Sequence, residues 1–410
     1  MQCVSRSLVL FVVLSALPSF SMAETAGTPT WKSRQITVRP AMVVTVTGEK
    51  HKLSAEPFRS YRSPSRLRHP RCYGPGRGMT MLGALDPASL VVRHGDKVLE
   101  LGKDYLCDEV WAALRLADGS RITPADEVSV DYRYSLRRMD SLVRCADGKE
   151  IIVEGQDARV TARPPALAEG QTRLANIYAD LHSSGKNAAV LPIFETADEA
   201  NTATAGERLP KAMAKIKAGK PVTIVCWGDS VTNGGDASAG NRFPEVFAKL
   251  LEVKFPGAPI VVKVIAIGGS SSPQWLQGRY KEYFRRIVDA KPDVVAIEFV
   301  NDFYGHGDPE KFKATYDEIL ERFRAIDSEI ILITPHFVWG VPPEEDNRAY
   351  VGHLKAFAEK HKVAIADASA RWEHLHKEGI PYITYLGNNW NHPDDRGHRL
   401  FAEELVKCFE

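Results

Sequence analysis

The chain has 410 residues and carries 53 basic against 52 acidic side chains, a formal net charge of +1. That balance supplies no bulk attraction for nucleic acid or anionic lipid, and a composition that is 44% hydrophobic and 26% charged excludes a fibrous or disordered chain. At roughly 100 to 200 residues per domain, the length calls for two domains rather than one continuous core.

In chain order, Arg6, an apolar run over residues 8–17 and the small residues Ser21 and Ala23 read as a secretory signal over residues 1–23. Export to the periplasm or the medium is the expectation. The run falls short of the roughly 20 residues a helix needs to span a bilayer, so no membrane span is expected. Beyond the signal stand Cys72, Cys107, Cys145, Cys226 and Cys408, an odd set without tight spacing. One disulfide among the first three is open, and Cys226, inside an apolar run, reads as a buried small hydrophobe.

Residues 24–190 show short alternating or β-branched segments at 36–38, 42–47, 89–93, 128–134 and 151–153. Turn pairs such as Gly48-Glu49, Asp118-Gly119 and Asp147-Gly148 separate them and can supply positive φ. The pattern predicts an antiparallel, all-β sandwich domain. Within it, Arg59, Arg62, Arg66, Arg68, Arg71 and Arg77 lie beside Tyr61 and Tyr73; a solvated loop is expected, with a site for an acidic or sulfated glycan as the alternative. The stretch from Arg163 to about Asn201 has no clear period and predicts a surface run between the domains, with pairing of Leu191 to Phe194 left open, and a linker is expected over 191–206.

From 207 to 410 apolar strands at 222–227, 260–267, 294–299, 330–334 and 363–366 alternate with amphipathic helices, one of them running through Trp275, Tyr280, Phe284 and Val288. Alternation of this kind predicts a parallel sheet with helices on both faces, whose reactive groups gather at the carboxyl ends of the strands. At those ends stand Gly228-Asp229-Ser230, Gly268-Gly269-Ser270 and Phe299-Val300-Asn301-Asp302, and Asn391-His392-Pro393 precedes the terminal helix. A serine hydroxyl needs a base to become a nucleophile, and an oxyanion needs N–H donors. The order Ser, Gly, Asn, His at four such positions makes the catalytic reading specific where each motif alone is weak.

These residues resemble the SGNH (GDSL) hydrolases over residues 211–410. The resemblance implies a flavodoxin-like three-layer α/β/α domain with esterase activity and no cofactor or metal. It makes Ser230 the nucleophile and an oxyanion-hole donor through its N–H, Gly269 a further donor with Gly268 as the alternative register, Asn301 the side-chain donor and His392 the base. Two positions depart from the family pattern. Phe299 replaces a glycine, and Asn389 stands three residues before His392 where the family has its aspartate. A Ser-His dyad oriented by Asn389 or a backbone carbonyl is therefore expected, with Asp367 as an alternative acid. The arrangement of a β domain before the hydrolase domain also resembles carbohydrate esterases that carry a jelly-roll-like domain, which implies an acetylated carbohydrate substrate; a lipase or lysophospholipase and an inactive glycan-binding protein are the rival readings. Trp390, beside His392, is the best candidate among Trp275, Trp339, Trp372 and Trp390 to stack on a sugar.

Overall fold

The computed structural model describes residues 36–182, 188–194, 206–304, 308–341 and 348–410. The expected signal over 1–23 lies outside the described residues, as does most of the expected linker.

The N-terminal half is all-β. Its first sheet orders β1 (Val43–Lys52), β6 (Glu127–Ser135), β2 (Leu85–His94) and β3 (Lys97–Val98) side by side, all antiparallel. Alternation along β6 turns Val128, Val130, Tyr132 and Tyr134 inward. They share a core with Tyr105, Leu114 and Leu116 of a hairpin formed by β4 (Tyr105–Asp108) and β5 (Ala113–Leu116). The pairing of β1 with β6 slips between Val46 and Glu49, at Gly48 with φ of 70°. The extra residue reverses the parity of the strand, so Glu49 and His51 point inward and Lys50 and Lys52 outward.

The second sheet orders β10 (Ala189–Pro192), β9 (Thr172–Ala179), β7 (Arg138–Arg144) and β8 (Glu150–Val153). Here the expected surface run after Arg163 is instead a central strand, β9. Its period is broken by Asn176, which is buried all the same because its amide donates to the Gly379 carbonyl at 2.8 Å and its oxygen accepts from the Ser141 hydroxyl at 2.9 Å. Strand β7 is buried although charged, since the Arg138 guanidinium meets the Asp140 carboxylate at 2.7 Å inside the sheet. Cys72, Cys107, Cys145, Cys226 and Cys408 are all free, so none of the first three forms the bridge left open by their spacing.

The C-terminal half has a five-stranded parallel sheet in the order β12 (Ile260–Ala266), β11 (Val222–Gly228), β13 (Val294–Glu298), β14 (Glu329–Ile333) and β15 (Ala364–Ala366). Alternate side chains of β11 serve two cores. Val222, Ile224 and Cys226 pack with Ile216, Phe243, Phe247, Trp372 and Phe401, from α1 (Pro210–Lys217), α2 (Phe243–Lys254), α7 (Ala368–Lys377) and α8 (Asp395–Lys407). Val225 and Trp227 pack on the opposite face with Phe284, Phe323 and Phe357, from α4 (Lys281–Asp289), α5 (Pro309–Arg324) and α6 (Ala349–His361). Three layers result, α/β/α. The single helix expected through Trp275 and Val288 is two, α3 (Ser272–Leu276) and α4. They part at Gly278, where a Cβ would lie 2.9 Å from the Gln274 Cα. Among the described residues no helix is long and apolar enough to cross a membrane.

Candidate active site

Strand β11 ends at Gly228, where any Cβ would lie 2.1 Å from the Glu298 carbonyl oxygen, so only glycine lets the chain turn there. The turn that follows is closed by backbone bonds from Asn233 to Asp229 (3.0 Å), Gly234 to Val231 (2.9 Å) and Gly235 to Ser230 (2.8 Å). It holds the Ser230 side chain at the carboxyl edge of the sheet.

His392 arrives from the loop before α8. That loop is wound round Asn388, whose side-chain oxygen accepts from the N–H groups of Trp390 (2.9 Å), Asn391 (2.9 Å) and His392 (3.0 Å). The imidazole Nε2 lies 2.9 Å from Ser230 Oγ, and Nδ1 lies 2.6 Å from Asp236 Oδ2. With Nδ1–H donating to the carboxylate, Nε2 is left to accept the serine proton, the tautomer a general base requires. Gly235 lies against the ring: a Cβ there would sit 2.7 Å from His392 Nδ1. Asp236 adopts φ of 63°, a left-handed conformation that aspartate tolerates better than most residues, and its second oxygen accepts from the Tyr73 hydroxyl, which reaches over from the N-terminal half.

On the other side of Ser230 stands the turn after β12. A Cβ on Gly268 would lie 3.6 Å from the Ser230 Cβ, and Gly269 takes φ of 74°. Among the described residues the N–H groups of Ser230 and Gly269 donate to no acceptor, which leaves both for an oxyanion. The Asn301 amide is less free. It donates to Asp229 Oδ2 at 2.9 Å and to the Ser270 carbonyl at 3.1 Å, while its backbone N–H also meets Asp229 Oδ2 at 3.0 Å. Serving an oxyanion would cost Asn301 its bond to Ser270. Asp229 itself is fully buried, and that burial pushes its carboxyl up to about 7 against the pull of the N–H groups of Val231 and Asn301.

A model of the GDSL-like lipase/acylhydrolase family matches residues 226–400, a span that holds Ser230, Asp236, Gly269, Asn301 and His392. Residues 226–400 are a GDSL-like lipase/acylhydrolase domain. Solved structures similar to the chain include LAE5, an α/β hydrolase enzyme from the metagenome of Lake Arreo in Spain, with 21% identity over 46% of this chain and 94% of that one and a TM-score of 0.39. Axe2, an acetylxylan esterase from Geobacillus stearothermophilus, has 20% identity over 46% of this chain and 94% of its own, with a TM-score of 0.39. A two-domain esterase (CEX) active on acetylated mannans has 19% identity over 50% of this chain and 56% of its own, with a TM-score of 0.38. No curated protein matches.

Within the GDSL-like domain the geometry corrects the expected dyad. Asn389 has φ of 59°, and its side-chain oxygen accepts from the Leu82 N–H at 3.2 Å, so it turns toward the N-terminal half and away from the imidazole. Asp367 caps α7, accepting from the Ala370 N–H at 3.2 Å and the Thr334 hydroxyl at 2.9 Å, with the Lys355 ammonium at 2.6 Å. The carboxylate on His392 is Asp236, six residues after Ser230 in the same turn. Its only sequence signal is the Gly234-Gly235-Asp236 run behind Gly228-Asp229-Ser230. Phe299 is buried against Trp227, ring centroids 5.1 Å apart and nearly perpendicular. Trp275 and Trp372 are core residues. Trp390 is half-buried, 4.7 Å from the Tyr61 ring and edge-on to Trp111 at 6.2 Å, and Trp339 joins the same group at 6.4 Å from Trp111.

Proposed function

We propose that the chain is an exported serine esterase that removes acyl groups, acetyl above all, from a polysaccharide or oligosaccharide. The observation that carries the esterase chemistry is the unbroken hydrogen-bonded set Ser230–His392–Asp236. His392 takes the Ser230 proton as Oγ attacks the ester carbonyl, and Asp236 stabilises the imidazolium that forms. The carbonyl oxygen, now negative, is met by the N–H groups of Ser230 and Gly269, with Asn301 as the third donor. His392 then returns its proton to the leaving sugar oxygen, and water releases the acyl group by the same path. No step calls for a cofactor.

The carbohydrate part of the reading is supported by Tyr61, Trp339 and Trp390, partly exposed rings from both halves of the chain that pack around the buried Trp111 next to the His392 loop. Aromatic rings with a polar handle suit the apolar faces and hydroxyl edges of sugars. Export is supported by the signal pattern of residues 1–23. The test is acetate release from acetylated xylan, acetylated mannan and p-nitrophenyl esters by the native chain and by Ser230→Ala. Release from a polymer that disappears in the variant is expected. Activity retained by Ser230→Ala would overturn the mechanism, and a preference for long-chain esters over all acetylated sugars would move the substrate to lipids.

A further inference from the structure

Beside the bulge in β1, Lys50 and Lys52 face outward, and the segment that follows returns past them with Arg66, Arg68 and Arg71. Together they line a groove of about 530 Å³, within the roughly 300 to 1,000 Å³ of small-ligand sites. One carboxylate, Glu127, lines it too, and it stands 3.5 Å from Lys50. Among the described residues Lys52, Arg66, Arg68 and Arg71 make no direct ion pair, although Arg71 feels the charge of the buried Glu49 and Lys52 that of Asp126. Elsewhere in the same half Arg121, Arg133 and Arg138 each make one. The buried acid behind the groove, Glu49, is already engaged: it accepts from the Tyr132 hydroxyl at 2.5 Å, His69 Nδ1 at 2.6 Å, the Arg68 N–H at 2.9 Å and His51.

The cations are held in place. Arg71 is only 8% exposed, and its guanidinium donates to the carbonyls of Leu67 (2.8 Å), Arg66 (3.2 Å) and Gly78 (3.4 Å). Among the described residues Arg66 Nη1, itself buried, finds no acceptor. Burial and the neighbouring charge of Arg71 pull the Arg66 guanidinium down to about 10. A guanidinium taken from water without an acceptor is costly, and an anion seated in the groove would offset that cost.

We infer that this groove binds the anionic group, a sulfate ester or a carboxylate, of an acidic polysaccharide. The choice of a polysaccharide rests on the carbohydrate-ester reading above, and two observations support it. The groove has no phenyl or indole ring on which a nucleobase would stack, and the chain has a net charge of only +1. The groove segment also continues directly through Cys72 to Tyr73, whose hydroxyl donates to Asp236. One segment of chain thus lines the groove and touches the carboxylate of the catalytic set.

The test is calorimetric titration of the full chain with deacylated oligosaccharides of three kinds, sulfated, uronic and neutral, and with inorganic sulfate and single-stranded DNA. Arg66→Gln and the exposed-site double variant Lys52→Ala/Arg68→Ala are titrated beside it. Binding of the sulfated or the uronic oligosaccharide is expected, weakened about tenfold or more by either variant and by salt, with no binding of the neutral one. Which of the two acidic sugars binds identifies the anion. Turnover of p-nitrophenyl acetate stays unchanged in the double variant, which lies outside the catalytic set. No binding of either acidic sugar, binding equally tight in the double variant, or equal affinity for inorganic sulfate or DNA would overturn the assignment. Because binding is read without turnover, its failure is distinct from a failure of the esterase reading.

Discussion

The two halves of the chain fill their interiors by different means. In the parallel sheet, burial follows side-chain chemistry: all five residues of β13, Val-Val-Ala-Ile-Glu, are buried, and four of them are apolar. In the N-terminal half, β7 is buried over six of its seven residues, yet Arg138 and Asp140 are among them. The first interior is stabilised by removing apolar surface from water. The second depends on satisfying its buried charges, Arg138 by Asp140 and Arg71 by backbone carbonyls, because an unsatisfied one would be far costlier than an apolar residue. The candidate site lies where the two meet. Ser230 and His392 come from the first region, and the second supplies Tyr73 to Asp236 and the Leu82 N–H to Asn389.

The sharpest way to break this division is to ask whether the GDSL-like domain completes its own chemistry. Asp236→Asn keeps the shape and removes the charge on His392, so kcat/KM for p-nitrophenyl acetate should fall about 10³- to 10⁴-fold. Asn389→Ala should cost far less turnover and mainly lower stability, by about 1 kcal/mol for the lost bond to Leu82. The reverse ranking would restore a dyad oriented by Asn389 and remove Asp236 from the site.

Legibility divides along the same line. Strands β11 to β15, the three layers and the positions of Ser230, Gly269, Asn301 and His392 could be read from periodicity and strand ends, since there apolar side chains mark what is buried. Strand β9 could not, because Asn176 interrupts its pattern and is satisfied by Ser141 and by Gly379, 203 residues away. Asp236 escaped for a related reason. The family spacing pointed three residues before His392, whereas proximity to the imidazole is created by a left-handed turn that no spacing rule describes.

Next in size is Gly235→Ala. The new methyl would sit 2.7 Å from Nδ1 and 2.9 Å from Cε1 of His392, so the ring must move or tilt. A displacement of that order should lower kcat about 100-fold with the fold intact by circular dichroism. Near-native turnover would show that the imidazole has room to reposition itself, and would weaken the view of a site fixed within the GDSL-like domain.

Tyr73→Phe tests the contribution from across the halves. It removes one hydrogen bond to the Asp236 carboxylate from a side chain that remains partly in solvent, worth about 0.5 to 1.5 kcal/mol. A kcat lowered roughly three- to tenfold with KM unchanged is expected. A change in KM alone would make Tyr73 a substrate contact instead of a positioning residue for Asp236.

The smallest effect concerns stability, where the apolar region carries charges of its own. Glu298 closes β13 fully buried, with one oxygen accepting from the Thr232 hydroxyl at 2.9 Å and the other, Oε1, without a partner among the described residues. Burial, reinforced by the charge of Asp229, pushes its carboxyl well above the usual range, and burial likewise raises Asp229 to about 7. Both groups therefore keep protons in the folded state that the unfolded chain releases near pH 4, and the stability they provide declines as pH rises from about 4 through about 7. His336 and His398, lowered by burial to about 3 and about 4, act in the opposite sense below pH 6.5 or so. The informative quantity is thus the difference between native protein and Glu298→Gln, in which the histidine contribution cancels. The melting temperature of Glu298→Gln should gain on that of the native chain as pH is raised from 5 to 8, because the amide cannot ionise. A constant offset across that range would mean that Glu298 is stably ionised in its buried site, compensated by groups beyond Thr232.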